Sequence, residues 1–203
     1  MTKIKICGMM QPKDVIAANT LGADYIGFIL SDGFRRSIGL GAFCELSSYH
    51  DDYRSKAKKV GVFVNEPIEN ILTYYAEWLD IIQLHGNENE AYIAQLKERT
   101  GKPVIKVFKI TCADDVRRAQ ESKADFVLLD SGTGTGKLFD HTLIQDIGRP
   151  YFLAGGLNPE NVAEAVGALH PYAVDVSSGV ETDGRKDPQK IRAFIEAARS
   201  MQP

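Results

Sequence analysis

The chain has 203 residues, of which 44% are hydrophobic and 25% charged, and its formal net charge is −3. This length predicts one domain over residues 1–203 with a full hydrophobic core. A slightly acidic chain without a basic run argues against a nucleic-acid partner or an anionic membrane surface.

Signals for export and membrane insertion are also missing from the sequence. Residues 1–8 lack the apolar core of a signal peptide, and no apolar run reaches the roughly 18 residues that a membrane helix needs. The three cysteines, Cys7, Cys44 and Cys112, have no CxxC spacing. An odd number without that spacing indicates reduced thiols rather than disulfides or a zinc site. We therefore expect a cytoplasmic protein.

Short apolar runs alternate with amphipathic stretches along the whole chain. The runs are rich in β-branched and aromatic residues and too short for helices, which indicates strands. They lie at residues 4–6, 25–30, 60–64, 81–84, 104–108, 126–129, 151–153 and 173–176. Strands separated by helical segments form parallel β-α-β units. Eight of them favour an α/β fold of the closed (β/α)8 TIM-barrel type over a doubly wound sheet.

The helical stretches begin at proline and capping signals. Pro12 predicts the start of the first helix, Gly22 its end, and Pro67 opens a predicted helix over 68–76. Later helices are expected to begin near Asn89, Asn158-Pro159 and Asp187-Pro188, and Asp114 and Asp115 can cap the fifth helix. Because about 200 residues is short for this barrel, we expect one helix to be short or replaced by a loop, first of all at 140–144.

An aspartate recurs just before three even-numbered strands. The three segments are Ala23-Asp24-Tyr25, Leu79-Asp80-Ile81 and Ala124-Asp125-Phe126. Recurrence of this kind indicates repeated β/α units.

Two successive strands near the end of the chain lead into glycine. Residues 151–157 read YFLAGGL and residues 172–179 read YAVDVSSG. Glycine lets backbone N–H groups approach an anion closely, and the loops after strands 7 and 8 of TIM barrels commonly bind phosphate. These loops therefore predict a phosphate site, although glycines that only make tight turns would look the same.

Two candidate catalytic residues end strands, where TIM barrels carry their chemistry. Cys7 ends strand 1 and is either a general acid–base group or a buried structural thiol. Asp130 ends the apolar strand 6, where a carboxylate is costly unless it is solvated, paired or functional. It could also simply cap the loop. Across a barrel mouth, the two side chains could flank a sugar-sized substrate as acid and base.

Further polar residues follow other strands. Arg35 and Arg36, after strand 2, could capture a carboxylate or be solvated surface charges. His85 follows strand 4, where a loop or hydrogen-bonding role is more usual than metal ligation. The four histidines have no paired ligand spacing, so we predict no metal site.

Glycines alternate after strand 6, at Gly132, Gly134 and Gly136. The spacing fits neither of the common nucleotide-binding glycine motifs. We therefore predict a flexible active-site loop that offers N–H donors rather than a nucleotide loop.

Five segments stand out when read together: KIKICG at 3–8, QLHG at 83–86, LLDS at 128–131, AGGLNPEN at 154–161 and DVSSGVE at 175–181. In this order they resemble the signature segments of the phosphoribosylanthranilate isomerases of L-tryptophan biosynthesis, over essentially the whole chain. The resemblance implies a TIM barrel that converts N-(5-phosphoribosyl)anthranilate to 1-(2-carboxyphenylamino)-1-deoxyribulose 5-phosphate. It implies a small phosphosugar substrate and no cofactor or metal. A monomer and a homodimer both stay open.

The resemblance also implies residue roles. Cys7 matches the general base of the family, Asp130 its general acid, and Arg36 the arginine that holds the anthranilate carboxylate. The residues expected to bind the phosphate or line the rest of the pocket are His85, Gly134, Gly136, Gly155, Gly156, Asp175, Ser178 and Gly179.

Two positions depart from the family pattern. The loop after strand 2 usually reads Ser-Pro-Arg in the family, whereas this chain has Phe34-Arg35-Arg36. Arg35 replaces the proline, so we expect a less stiff loop and a less preorganised Arg36. Met10 stands where a polar residue is common, and we expect it to alter the surroundings of Cys7.

Other functions stay open on the sequence. Indole-glycerol-phosphate synthase would need a catalytic lysine, for which Lys106 in strand 5 is the candidate, and a pentose-phosphate epimerase would need metal-ligating residues that are missing. A non-catalytic phosphate-binding barrel would not need both Cys7 and Asp130. The related histidine-pathway aminoaldose carries a second phosphate, whereas only one clear phosphate pocket is predicted.

Overall fold

Eight parallel strands follow one another around a closed barrel in the order in which they occur along the chain. The computed structural model describes residues 1–52, 57–130, 144 and 147–201. The strands are β1 (Lys3–Cys7), β2 (Tyr25–Ile29), β3 (Lys58–Phe63), β4 (Ile81–Leu84), β5 (Val104–Lys109), β6 (Phe126–Asp130), β7 (Tyr151–Ala154) and β8 (Ala173–Val176). Pairing of β8 with β1 closes the ring, which confirms the predicted (β/α)8 TIM barrel.

The connections between strands carry the helices. The α-helices of the described ranges are α1 (Pro12–Leu21), α2 (Leu40–Asp52), α3 (Ile68–Asn70), α4 (Glu90–Thr100), α5 (Ala113–Glu121), α6 (Val162–Leu169) and α7 (Pro188–Ser200). After β8, a short 3-10 turn at Ser178–Val180 leads into a hairpin formed by β9 (Glu181–Thr182) and β10 (Arg185–Lys186). No helix in these ranges has the length and apolar character needed to cross a membrane.

Most of the predicted helix starts are confirmed. Pro12 begins α1, and the Asn89 side chain caps α4 by accepting a hydrogen bond from the N–H of Tyr92. Asp187 caps α7 in the same way. The sixth helix begins a few residues later than Asn158-Pro159 indicates, with Asn161 as its N-cap.

The prediction that Asp114 and Asp115 can cap the fifth helix is confirmed for Asp115, which caps it from inside the first turn. The N-cap of α5 is Cys112, and Asp115 lies inside the first turn. From there the Asp115 carboxylate accepts the backbone N–H groups of Thr111 and Cys112. A carboxylate three residues into a helix can satisfy free N–H groups as well as one that precedes the helix, and the sequence pattern does not separate the two cases.

The helix predicted over 68–76 is broken into three pieces. α3 gives way to a π-helix, Ile71–Tyr75, and then to a 3-10 turn, Ala76–Trp78. The Tyr75 ring packs edge-on between Phe43 and Phe63, with ring centroids 5.8 and 5.4 Å away. This aromatic packing holds Tyr75, the last residue of the π-helix, in place, so the segment does not keep the regular α-helical period.

The recurring aspartate has a structural cause. Asp24, Asp80 and Asp125 each accept a backbone N–H from the start of the preceding strand, at distances of 3.0, 2.7 and 2.8 Å. Each carboxylate thereby ties the beginning of an even-numbered strand to its odd-numbered neighbour. The pattern therefore belongs to the N-terminal end of the barrel, away from the end that carries TIM-barrel chemistry.

Two groups of buried apolar side chains make up the core. One fills the barrel interior and includes Val60, Ile105, Leu128 and Phe152. The other, larger group lies between the barrel and the helices. The loop expected over 140–144, apart from Ile144, and the alternating glycines after β6 lie outside the described residues.

Candidate active site

Cys7 lies at the C-terminal end of β1 beside a buried lysine. Lys5 is two residues earlier on the same strand, so its side chain points to the same face, and it donates a hydrogen bond to Asp175 Oδ1 at 2.8 Å. Burial disfavours the Lys5 ammonium, but Asp175 and Cys7 outweigh this effect and raise the pKa of Lys5. A β-carbon at Gly27 would lie 2.7 Å from Cys7 Sγ and 3.2 Å from Lys5 Nζ. The Cys7 thiol and the Lys5 ammonium therefore occupy the space left by the absent side chain of Gly27 on β2.

Asp130 ends β6, and its side chain is 27% exposed. His85 follows β4, and its Nε2 atom lies 4.0 Å from Asp130 Oδ2, an ion-pair distance rather than a hydrogen bond. Burial lowers the pKa of His85 against the pull of the carboxylates of Asp130 and Asp175. The imidazole is therefore neutral at pH 7 and lies within the electrostatic reach of both carboxylates.

These contacts connect the two predicted catalytic residues. Cys7 helps to raise the pKa of Lys5, and Lys5 forms an ion pair with Asp175. The carboxylates of Asp175 and Asp130 both act electrostatically on His85. β7 and β8 lie between β6 and β1 on the shorter way around the ring. The thiol and the Asp130 carboxylate thus border the same mouth from different strands.

Arg36 lies close to the Cys7-Gly8 backbone. A β-carbon at Gly8 would lie 2.6 Å from Cδ of Arg36. The guanidinium forms a two-pronged ion pair with Glu181, from Nε at 2.6 Å and from Nη2 at 3.0 Å. Arg35 joins the same carboxylate at 2.5 Å. The loop that lacks the family's proline is thus tied to the β9 strand by two cations.

The carboxylate of Glu181 is held in its charged form by its neighbours. Burial alone would raise its pKa, but hydrogen bonds from Arg36, Lys186 and Arg35 overcome that effect and lower the pKa to about 2. Lys186 is itself buried and donates to Glu181 Oε1 at 2.8 Å. Together with Glu181, the side chains of Arg35, Arg36 and Lys186 therefore form an ionic cluster at the edge of the barrel mouth.

The two glycine loops meet directly. Gly155 and Gly156 adopt left-handed backbone angles, with φ of 95° and 66°, which favours glycine at both positions. Gly179 lies against the carbonyl oxygen of Leu157, where a β-carbon would lie only 1.9 Å from that oxygen. The loops after β7 and β8 therefore form one continuous backbone surface, which includes Ser178.

The remaining predictions have mixed outcomes. Gly134 and Gly136 lie outside the described residues. Met9 is buried in the core. Met10, the position that departs from the family pattern, packs its apolar side chain against the same core. In the part of the chain that the structure describes, no cluster of three His, Cys, Asp or Glu side chains could hold a metal ion.

Known proteins are similar to this chain in sequence and in fold. The profile of a family described as N-(5'phosphoribosyl)anthranilate (PRA) isomerase matches residues 4–197. The N-(5'-phosphoribosyl)anthranilate isomerase of Endomicrobium trichonymphae is 44% identical over 99% of this chain and 100% of its own length. The chain belongs to the phosphoribosylanthranilate isomerase family.

Solved structures of the family agree with the barrel. Phosphoribosyl anthranilate isomerase from Thermotoga maritima is 37% identical, with a TM-score of 0.88 over 98% of this chain and 100% of that one. Another solved phosphoribosyl anthranilate isomerase, in complex with reduced 1-(o-carboxyphenylamino)-1-deoxyribulose 5-phosphate, is 36% identical. Its TM-score is 0.85 over 98% of this chain and 100% of that chain.

Lys106, the candidate catalytic lysine of a synthase, has a structural role in this family member. It donates hydrogen bonds to Glu88 Oε2 at 2.8 Å and to the carbonyl oxygen of Gly86 at 2.6 Å. Glu88 in turn accepts the backbone N–H groups of Asn65 and Gly86. Both side chains are buried, so the lysine stabilises the loop after β4 through this ion pair.

A cavity of about 790 Å³ opens between the loop after β4 and α5, and His85 and Asp130 border it. Its described lining does not include Cys7, Arg36 or the two glycine loops, so it covers only the Asp130 side of the mouth. The cavity volume is within the usual range for small-molecule sites.

Sequence reasoning assigned no role to three charged residues of the site. Lys5, Glu181 and Lys186 are buried, and each pairs with an opposite charge. Lys5 stands in an alternating strand pattern, and Glu181 falls in a signature segment, so each was visible only as an unexplained charge. A buried charge needs a partner, and that rule applied to Lys5 and Glu181 could have pointed to them.

Proposed function

We propose that this chain catalyses the Amadori rearrangement of N-(5-phosphoribosyl)anthranilate to 1-(2-carboxyphenylamino)-1-deoxyribulose 5-phosphate, a step of L-tryptophan biosynthesis. One observation carries the proposal: Cys7 and Asp130 end β1 and β6 at the same mouth of a barrel that belongs to the isomerase family. A cytoplasmic location is part of this proposal.

Substrate binding uses two anion sites. The phosphate is held by backbone N–H groups of the paired loops, at Gly155-Gly156 and Ser178-Gly179, whose close contact supports this assignment. The anthranilate carboxylate binds the Arg36 guanidinium, whose fork suits a carboxylate. The ribose then spans the mouth between Cys7 and Asp130, near His85 and Asp175.

Ring opening is the first chemical step. Asp130 donates a proton to the ring oxygen as the C1–O bond breaks, so the oxygen leaves as a hydroxyl group. The lone pair of the anthranilate nitrogen forms the C1=N bond of a protonated Schiff base. General acid catalysis of this kind contributes about 10²- to 10⁴-fold to the rate.

Proton removal at C2 follows. Cys7 takes the C2 proton, the C2–H electron pair forms the C1=C2 bond, and the C1=N pair returns to nitrogen. The resulting enolamine loses its C2 hydroxyl proton and gains a proton at C1, which gives the ketone. C1 is reduced as C2 is oxidised, so the electrons balance within the substrate.

The fluorescence of freshly made phosphoribosylanthranilate tests this proposal. Purified protein should accelerate the loss of anthranilate fluorescence, and Cys7→Ala should slow the turnover at least about 100-fold. Cys112→Ala, which removes an exposed thiol, should leave the rate unchanged. No fluorescence loss above background with the wild type would overturn the proposed activity, and near-normal turnover by Cys7→Ala would remove Cys7 as the base.

A further inference from the structure

We propose that Glu181 is a positioning residue for carboxylate recognition, which holds Arg36 in the orientation that binds the anthranilate carboxylate. The inference rests on the proposed function. It concerns a residue that does not itself touch the substrate and acts through the guanidinium.

The ion pair between the two residues occupies one edge of the guanidinium. Nε and Nη2 of Arg36 face the two oxygens of Glu181. Among the described residues, Nη1 has no hydrogen-bond partner. The carboxylate therefore fixes the plane of the guanidinium and leaves its other edge to a ligand.

Arg36 lies beside the proposed reaction centre. Its side chain crosses the backbone of Gly8, where an added β-carbon would meet Cδ at 2.6 Å and Ser177 Oγ at 3.2 Å. Gly8 directly follows Cys7, and Ser177 donates a hydrogen bond to the Cys7 carbonyl oxygen at 2.9 Å. A carboxylate bound to Arg36 thus lies near the proposed base.

Glu181 is fixed before any ligand arrives. Its side chain is 4% exposed, and Lys186, across the β9–β10 hairpin, donates to Glu181 Oε1. Lys186 also donates to the carbonyl oxygen of Ser177 at 2.9 Å, and Lys190 donates to the carbonyl oxygen of Glu181 at 2.8 Å. Lys186 thus holds the Glu181 carboxylate and Lys190 holds its backbone. A carboxylate supported in this way can orient the arginine paired with it.

The charges of the cluster favour an anionic ligand. Arg35, Arg36 and Lys186 share the single carboxylate of Glu181, so two positive charges are in excess. Arg35 reaches Glu181 from the loop that lacks the family's proline, and this half-exposed ion pair ties the loop to β9. The mouth therefore presents a preorganised cationic edge to a carboxylate.

Binding of two probes tests the role of Glu181. We would measure the dissociation constant of reduced 1-(o-carboxyphenylamino)-1-deoxyribulose 5-phosphate and the inhibition constant of inorganic phosphate in wild type and Glu181→Gln. We expect the variant to bind the reduced product at least tenfold more weakly while the phosphate constant changes less than twofold. KM should rise more than kcat falls. Unchanged or tighter binding of the reduced product, or an equal loss for both probes, would overturn the inference.

Two further variants keep the result interpretable. Glu69→Gln breaks an exposed two-pronged pair with Arg99, so it controls for charge removal and should change neither constant. If Glu181→Gln does not fold because Lys186 is left unpaired, Glu181→Gln with Lys186→Met removes the buried pair together and should show the same selective loss. A wild type that neither binds the reduced product nor turns over substrate would refute the proposed function instead.

Discussion

Gly179 lies so close to Leu157 that a β-carbon on it would lie 1.9 Å from the Leu157 carbonyl oxygen. The partner atom belongs to the backbone and cannot rotate away. This contact joins the loop after β7 to the loop after β8, and a phosphate between them would receive N–H groups from both.

Gly179→Ala should therefore separate the two loops. We expect the inhibition constant of inorganic phosphate to rise at least about tenfold, because a helix-terminus or loop anion site depends on the close approach of backbone N–H groups. Competition by phosphate in the fluorescence assay measures this change. Gly41→Ala is the matched control, since a β-carbon there meets open space within α2. An unchanged phosphate constant in Gly179→Ala would remove this loop from the anchor.

Asp130→Asn should slow turnover at least about 100-fold, since an amide cannot donate the acid proton to the ring oxygen. The side chain is partly exposed, and an amide keeps the size and shape of the carboxylate, so we expect the variant to remain folded. Steady-state kinetics and a melting curve together check both statements. Near-normal kcat in this variant would exclude Asp130 as the general acid.

Lys106→Met should destabilise the fold by about 3–5 kcal/mol, the usual effect of leaving one member of a buried ion pair unpaired. The pair with Glu88 is almost fully buried and also fixes the loop after β4. Urea unfolding measures the difference. The double variant Lys106→Met with Glu88→Gln should recover part of the loss. Should Lys106→Met unfold at the wild-type urea concentration, Lys106 would be free for another role.

The fold was predictable from local pattern. Strands were predicted from short apolar runs, and helix starts from proline and capping residues. Both signals depend on residues a few positions apart. The structure has a barrel strand at every predicted apolar run. The exceptions have long-range causes. The Tyr75 ring breaks the third helix by packing between Phe43 and Phe63, and no local pattern reports a contact with another element.

The candidate site also contains residues with local sequence signals and residues whose contacts are long-range. Cys7, Asp130 and the glycine loops could be proposed from the sequence because each stands at a strand end, where TIM barrels carry their chemistry, and the structure places each of them at such an end. Glu181 could not be assigned, because its partner Arg36 is 145 residues away in sequence. Arg35 shows the same limit, since the loss of a proline predicts a looser loop and only the fold reveals the ion pair that restrains it.

The pKa of Glu181 makes stability depend on pH in a defined window. The folded value is lowered to about 2, whereas an unfolded glutamate has a pKa of roughly 4.3. A lowered pKa contributes stability that is fully present above the unfolded value and is lost as pH falls through the folded value. The contribution should therefore shrink between about pH 4.5 and pH 2, by up to about 1.4 kcal/mol per pH unit.

Unfolding free energies of wild type and Glu181→Gln, measured by urea at a series of pH values, isolate this effect. Other carboxylates titrate in both proteins, so the difference between the two curves reports Glu181 and the groups paired with it. We expect a constant difference above about pH 5 and a steady narrowing below it. A difference that stays constant down to pH 3 would show that Glu181 keeps an ordinary pKa. The ion pairs with Arg36 and Lys186 would then be too weak to keep Glu181 charged, and the proposed positioning of Arg36 requires a charged Glu181.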